Sequence, residues 1–311
     1  MAKNTSKKKK LNPIAVIIFL IIVSLGYMVS LYFETANMPQ VETSAPATTE
    51  ITVSNGELGV VEYHFIDVGQ GDATLIRTPE GDILIDAGEN SAEEDLKNYL
   101  DLCGVEVLYY AVFTHPDSDH IGGADMVLAE YEVLNVIKPE LEKDTKVYTR
   151  MMEAIAAEGC TVYNALPGEI YSLGEFDMFV FGPDPNNKKL DSNNSSIVIK
   201  ATWGNTTAML TGDAEEPAEE SILATFSADE LGSMLLKMGH HGSKTSSTDA
   251  WLAAVKPTIA VISCGKDNKY GHPHAEVLAR IAPYVGENIY RTDELGSIIF
   301  VTDGDAFIYQ D

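Results

Sequence analysis

The sequence predicts an α/β fold in which two β-sheets pack face to face with helices outside. Three observations lead there. Residues 58–311 divide into two strand-rich halves, each followed by helices, a pattern that layers sheet on sheet. Several apolar strands end in Asp or His, as expected where polar groups gather along one edge of a sandwich. With 311 residues, 45% of them hydrophobic, the chain can bury a substantial core.

Three short segments precede that domain. Residues 1–10 carry Lys3 and the run Lys7 to Lys10. Leu11 to Phe33 (residues 11–33) holds no charged residue. As a helix, ~23 residues at ~1.5 Å each reach ~34 Å, enough to cross a hydrocarbon core of ~30 Å. A secretory signal core is shorter, roughly 7–15 residues. Here Tyr27-Met28-Val29 and Leu31-Tyr32-Phe33 extend the apolar run where cleavage would fall. An uncleaved, single-pass transmembrane anchor is therefore expected at the cell membrane; cleavage would make the protein secreted. The basic cluster puts the N-terminus in the cytoplasm and the rest outside. Residues 34–57, rich in Thr, Ser, Pro, Ala and Glu, are expected to form a disordered spacer.

Within 58–311, Val60 to Ile66, Ala73 to Thr78 and Asp82 to Ile85 read as strands, the last two joined by the hairpin turn Pro79-Glu80-Gly81. Ser91 to Cys103 predicts an amphipathic helix, with Ser91 as N-cap and Glu94 completing a capping box. A strand to Phe113, a polar loop, a helix from Ala124 to Tyr131, a strand from Val133 to Lys138 and a helix from Thr145 to Glu158 follow. The second half contributes strands at Phe176 to Phe181, Ser196 to Thr202, Thr206 to Leu210, Met234 to Met238 and Thr258 to Ser263. Helices are expected at Glu215 to Phe226, Thr248 to Val255 and Ala275 to Ala282, with final strands at Ser297 to Thr302 and Ala306 to Tyr309.

The chemistry concentrates in Thr114-His115-Pro116-Asp117-Ser118-Asp119-His120-Ile121-Gly122-Gly123. His115, Asp117, Asp119 and His120 are potential metal ligands on a loop fixed by a strand on one side and a helix on the other. Helix capping uses one carboxylate and gives no reason for two Asp flanked by two His. Asp86, Asp213 and His240 close other apolar strands in the same way.

Together these pieces resemble the metallo-β-lactamase superfamily, and more narrowly the hydrolase domain of the ComEC competence proteins. The resemblance rests on His64-Phe65-Ile66-Asp67-Val68-Gly69-Gln70-Gly71-Asp72, Ile85-Asp86-Ala87-Gly88, the 114–123 loop, Leu210-Thr211-Gly212-Asp213, His240-His241-Gly242-Ser243-Lys244-Thr245-Ser246 and Gly271-His272-Pro273. It implies a four-layer αββα sandwich holding two divalent metal ions. One ion would take His115, Asp117 and a bridging Asp213; the other would take Asp119, His120, Asp213 and His240. The chain departs from the superfamily's usual His-x-His-x-Asp-His loop, with Asp117 in place of the second His. Asn193, Asn194, Ser195 and Ser196 stand where a further His is expected. An oxygen-rich pocket favours Mn2+ over Zn2+, with Zn2+ as the alternative. The resemblance assigns catalysis to Asp119 and Asp213. His272 is a candidate proton donor. Asp67, Asp72, Asp86, Asn193, His241, Ser243, Lys244 and Ser246 are candidates for supporting the ligands or touching substrate.

Charge narrows the substrate. Lys+Arg 21 against Asp+Glu 47 gives a formal net charge of −26. Such a surface opposes non-specific attraction to DNA or anionic lipid, so bound cations would have to supply the local positive charge. The expected function is a membrane-anchored, extracytoplasmic phosphodiesterase or nuclease acting on DNA. The alternatives are a cell-envelope phosphorylcholine esterase and a degenerate surface binding module. Cys103, Cys160 and Cys264 are too sparse for a disulfide framework or a zinc ribbon. A monomer is expected, since nothing indicates a stable protein partner.

Overall fold

The computed structural model describes residues 59–186 and 191–311. Among these residues the strands run β1 (Val61–Phe65), β2 (Thr74–Thr78), β3 (Gly81–Ile85), β4 (Val107–Val112), β5 (Glu132–Lys138), β6 (Thr161–Asn164), β7 (Ile170–Leu173), β8 (Phe176–Gly182), β9 (Val198–Trp203), β10 (Thr206–Leu210), β11 (Leu235–Lys237), β12 (Ile259–Ile262), β13 (Ile289–Arg291), β14 (Ile298–Thr302) and β15 (Phe307–Gln310). One sheet has the order β15-β14-β1-β2-β3-β4-β5-β6 and the other β13-β12-β11-β10-β9-β8-β7. In each, an antiparallel meander gives way to a parallel run: β3 to β6 in the first sheet and β10 to β13 in the second.

Side-chain alternation builds the layers. Ile83 and Ile85 point between the sheets, where they meet Phe176, Met178, Trp203 and Leu210, while Leu84 between them points the other way. That outer face packs on the helices Glu93–Leu102, Ala124–Glu130 and Lys146–Glu158 through Leu96, Val127 and Met151. On the second sheet, Ala208 and Leu210 face inward, and Met209 faces the helices Glu216–Thr225, Asp249–Val255 and Ala275–Val285. The period-2 pattern thus gives helices, sheet, sheet and helices. This is the expected α/β sandwich.

Differences from the sequence reading are local. Ser91 is not an N-cap: it sits inside the 3-10 turn Asn90–Ala92, and the helix starts at Glu93 without a side-chain cap. The cause is tertiary. Ala87 N donates to His120 O at 2.7 Å, so the chain between Ala87 and Asn90 is held against the 114–123 loop. A capping box occurs instead at Ser227 and Glu230. Strands β7 and β13 carried too few residues to stand out. Among the described residues no helix is long and apolar enough to cross a membrane. The expected anchor at Leu11 to Phe33 and the spacer at 34–57 lie outside the described residues.

The Gly122-Gly123 pair shows how the fold presses the loop into place. A Cβ on Gly122 would lie 2.3 Å from Asn90 N and 2.5 Å from Ser118 O, both backbone. Gly122 has φ −58, so close approach and not backbone conformation demands glycine there. Gly122→Ala is expected to destabilise the domain by about 1–3 kcal/mol in chemical denaturation. Gly232→Ala, with its nearest obstacle 3.7 Å away, should stay within about 0.5 kcal/mol of the parent. Equal effects from the two would contradict this packing.

Candidate metal centre

The polar groups leave the C-terminal ends of parallel strands. Asp86 follows β3, the 114–120 loop follows β4, Asp213 follows β10, His240-His241 follow β11, and the Gly265 to His274 loop follows β12. Pairing aligns those ends, with Ile85 opposite Val112 and Leu210 opposite Lys237. One hydrogen bond then joins the sheets at this rim, from Ile197 N to Thr114 O (2.9 Å), and within the second sheet Asp213 N donates to Ser196 Oγ (3.0 Å).

Asp213 stands at the middle. Its carboxylate lies 3.2 Å from His120 Nε2, 3.6 Å from His241 Nε2, 3.7 Å from His240 Nε2 and 3.9 Å from His115 Nε2. One potential ligand atom from each of Asp119, His120, Asp213 and His241 falls within 4.8 Å of the others. The ring orientations are set from behind. Asp86 accepts from Thr114 N (2.7 Å), Thr114 Oγ1 (2.6 Å) and His120 Nδ1 (2.7 Å). His241 Nδ1 donates to Ser263 O at 2.9 Å, which leaves its Nε2 with a lone pair. His115 Nδ1 lies 3.3 Å from both Thr114 Oγ1 and Ser196 Oγ.

The remaining atoms have no partner. Nε2 of His115, His120 and His241 and Oδ1 of Asp213 are buried without a hydrogen bond; the close His120–Asp213 pair is not aligned for one. Orphaned buried acceptors are costly. Here they converge on one point with imidazole nitrogen and carboxylate oxygen, the donor set of a divalent cation, so the residues fit such a metal centre.

Electrostatics agrees. Burial works against the charge of Asp213, yet the imidazoles of His241, His120 and His115 hold its carboxyl well below the usual range. Asp119 is likewise held low against its burial, chiefly by His241 and His120. Burial, with His120 adjacent, pushes His115 down to about 3. Burial also opposes a charge on His120, but Asp213 and Asp86 outweigh it and raise that pKa. Anionic carboxylates facing imidazoles are an arrangement that a cation would stabilise in place of protons.

The other sequence candidates fall around this group. His240 is at the rim, with Nδ1 2.9 Å from Glu215 Oε1; His241 is the ring inside the four-residue group. Both residues have left-handed backbone, φ 48 and φ 54, which turns the two rings apart. Asp117 lines the cleft outside the four-residue group and accepts from Lys143 Nζ and Ser192 Oγ. Asp72 is buried against Lys237 Nζ at 2.5 Å. Asn193 and His272 line the cleft. Burial and the neighbouring His241 and His240 bring His272 down to about 4, so it is neutral at pH 7. Ser243 Oγ pairs with Thr245 Oγ1 (2.8 Å), the Ser246 hydroxyl is buried without a partner, and Lys244 is exposed. Asp67 lies apart, exposed, and caps a turn by accepting from Gly69 N. Sequence reasoning missed Lys143, Glu215 and Lys237. For Lys237 a signal existed, a lone charge in the apolar strand Leu235-Leu236-Lys237-Met238.

A cleft of about 550 Å³ opens over Asp119, Asp213 and His241, with Lys143, Lys269 and Tyr270 on its walls.

Comparison with known proteins is consistent with this geometry. A family model described as the metallo-beta-lactamase superfamily matches residues 66–266. ComE operon protein 3 of Bacillus subtilis is 30% identical over 258 residues, covering 76% of this chain and 32% of that protein. Recombination protein 2 of Haemophilus influenzae is 32% identical over 224 residues, covering 70% of this chain and 26% of its own length. The chain therefore spans about a quarter to a third of the curated relatives it matches. Among solved structures, the metallo-beta-lactamase fold protein YhfI of Bacillus subtilis superposes with a TM-score of 0.54 at 9% identity, covering 78% of this chain and 100% of that one. That likeness speaks to the fold alone.

The hydrogen bonds behind the rings make an ordered prediction for metal content, read by mass spectrometry of the purified protein. His241→Ala and Asp213→Ala should lose bound metal, and Asp86→Asn should weaken metal affinity by ~10–100-fold. His240→Ala should retain more metal than His241→Ala. The reverse order would reassign the ligand pair.

Proposed function

Since the chain belongs to the metallo-β-lactamase superfamily, we propose that it is a metal-dependent hydrolase that cleaves phosphodiesters, with DNA as its substrate. The observation that carries this reading is the convergence of unpaired Nε2 atoms of His115, His120 and His241 on the unpaired Oδ1 of Asp213. His120, Asp119, His241 and Asp213 would hold one cation. His115 and Asp213 would hold the second, with Asp117 reaching it if released from Lys143. The second position favours Mn2+, because it would combine a single imidazole with the carboxylates of Asp213 and Asp117 and residues Asn193 to Ser196 supply no imidazole. Such a pair supplies an activated water and positive charge for an anionic ester.

The chain's own groups account for the rest of the chemistry. Asp86 and Ser263 O hold the rings of His120 and His241 in one tautomer. Lys143 and Lys269 put positive charge on the walls of a cleft in a chain of net −26. That local charge supports an anionic substrate, and the overall charge argues against tight or processive binding. His272, neutral at pH 7, offers one N–H and one lone pair, with its Nδ1 unpartnered at the cleft.

The cellular setting we propose is the outer face of the cell membrane, with Leu11 to Phe33 as a single-pass anchor. The uncharged run after a basic cluster supports it. Relatives named for competence and recombination support DNA as the substrate and DNA uptake as the process.

The test is Mn2+-dependent cleavage of linear DNA by the full chain in detergent, beside bis-p-nitrophenyl phosphate and p-nitrophenyl phosphorylcholine. Cleavage of the first two is expected, with Asp213→Asn and Asp119→Asn each reduced by at least ~100-fold. Hydrolysis of the choline ester alone would transfer the enzyme to envelope chemistry. Equal cleavage by the Asn variants would end the metal proposal.

A further inference from the structure

The Gly265 to His274 loop carries a feature that the metal centre does not use. Tyr270 is 52% exposed and forms part of the wall of the cleft. It is not loosely held. Asn268 Nδ2 donates to Gly265 O (2.9 Å) and His272 O (2.5 Å), and Asn268 Oδ1 accepts from Tyr270 N (3.1 Å) and His272 N (3.0 Å). One amide side chain thus knits the loop around itself. The Tyr270 ring lies nearly parallel to the His272 ring, at 24° with centroids 5.6 Å apart. His272 in turn stands 5.4 Å from His240, edge-on, and 6.3 Å from His241, so neighbouring rings lead from solvent to the candidate metal centre.

We propose that Tyr270 is a base-stacking platform, and that the strand entering the cleft is single-stranded polynucleotide with an unpaired base on that ring. The proposal rests on the phosphodiesterase reading above and names the substrate form for it. A base in a duplex has both faces covered and cannot reach an exposed ring, whereas an unpaired base can. Lys269, beside Tyr270 on the cleft wall, is the cation placed to meet the backbone of such a strand; the carboxylates of Asp119 and Asp213 in the same cleft would be covered by the bound cations, and Lys143 is paired with Asp117. Lys269 Nζ is 5.0 Å from the Tyr270 ring centroid, and its exposed ammonium is the weaker partner for that ring. A base can displace it, which frees the lysine for phosphate. The same ammonium works against a choline head group, because two cations would then share one ring.

The experiment measures binding separately from cleavage. Fluorescence anisotropy would follow phosphorothioate strands of about ten nucleotides, which resist hydrolysis, on the metal-loaded full chain in detergent. One strand carries its bases, a second has abasic sites throughout, and a third is the first in duplex form. The base-bearing strand should bind about 5- to 100-fold more tightly than the abasic one, and more tightly than the duplex. Tyr270→Ala should remove the difference between base-bearing and abasic strands, and Tyr270→Trp should keep it. Equal binding of base-bearing and abasic strands would overturn the platform and leave the hydrolase standing. So would a preference that survives Tyr270→Ala. A Tyr270-dependent preference in a protein that cleaves no phosphodiester would keep the platform and remove the hydrolase.

Discussion

The buried carboxylate of Asp86 is the interaction on which the site depends. It accepts three hydrogen bonds, two from Thr114 and one from His120, and so ties the end of β3 to the loop after β4. Burial drives its pKa up, and the hydrogen-bonded His120 and Thr114 offset that rise. The same contact turns His120 so that Nε2 faces Asp213. Ser263 O does the equivalent for His241 from the second sheet. The two tethers come from different sheets, and Ile197 N to Thr114 O holds those sheets together at the rim. Orientation of the ligand atoms is therefore a property of the sandwich and not of a flexible loop.

Charge explains why such a site would need cations. The chain is strongly acidic, and its central group adds Asp119 and Asp213 to that excess. Beside this group, Asp72 is paired with the buried Lys237 and Asp117 with Lys143. Neither lysine reaches the point where the three Nε2 atoms converge. Imidazoles alone balance the carboxylates only by taking up protons: burial keeps His115 low, while for His120 and His241 the facing carboxylates outweigh burial and draw the proton in. A divalent cation satisfies the lone pairs and the charge together.

Much of this was legible in the sequence because it is local. Four ligand-type residues within six positions, after an apolar strand and before a glycine pair, announce the central loop. Strand-end carboxylates at Asp86 and Asp213 were legible for the same reason. What escaped the sequence is set by distance and backbone. His240 and His241 are adjacent and chemically identical, and distant partners tell them apart: Glu215 holds His240 Nδ1 at the rim and Ser263 O holds His241 Nδ1 from within. The partner of Asp117 is Lys143, 26 positions away, and that of Asp72 is Lys237, on the other sheet. The Ser91 cap failed because a neighbouring loop, absent from any local window, occupies the space against Asn90.

The topology gives a reason why the ligand groups come in matched positions. In each half of the chain antiparallel strands lead into a parallel run, β3 to β6 in the first and β10 to β13 in the second, before β14 and β15 return to the first sheet. Asp86 leaves the first strand of one parallel run, and Asp213 leaves the first strand of the other. The His115 loop follows the second strand of the first run, as His240-His241 follow the second strand of the other. In a parallel run every C-terminal end lies on one side, where chain leaving a strand can carry polar groups without breaking the ladder. Packing two such runs face to face with those sides together makes the groups from both halves meet. The inter-sheet core of Phe65, Phe176, Trp203 and Phe300 supplies the contact that keeps them there. A substitution that let the sheets slide would separate Asp213 from His120 while leaving every ligand in place on its own strand.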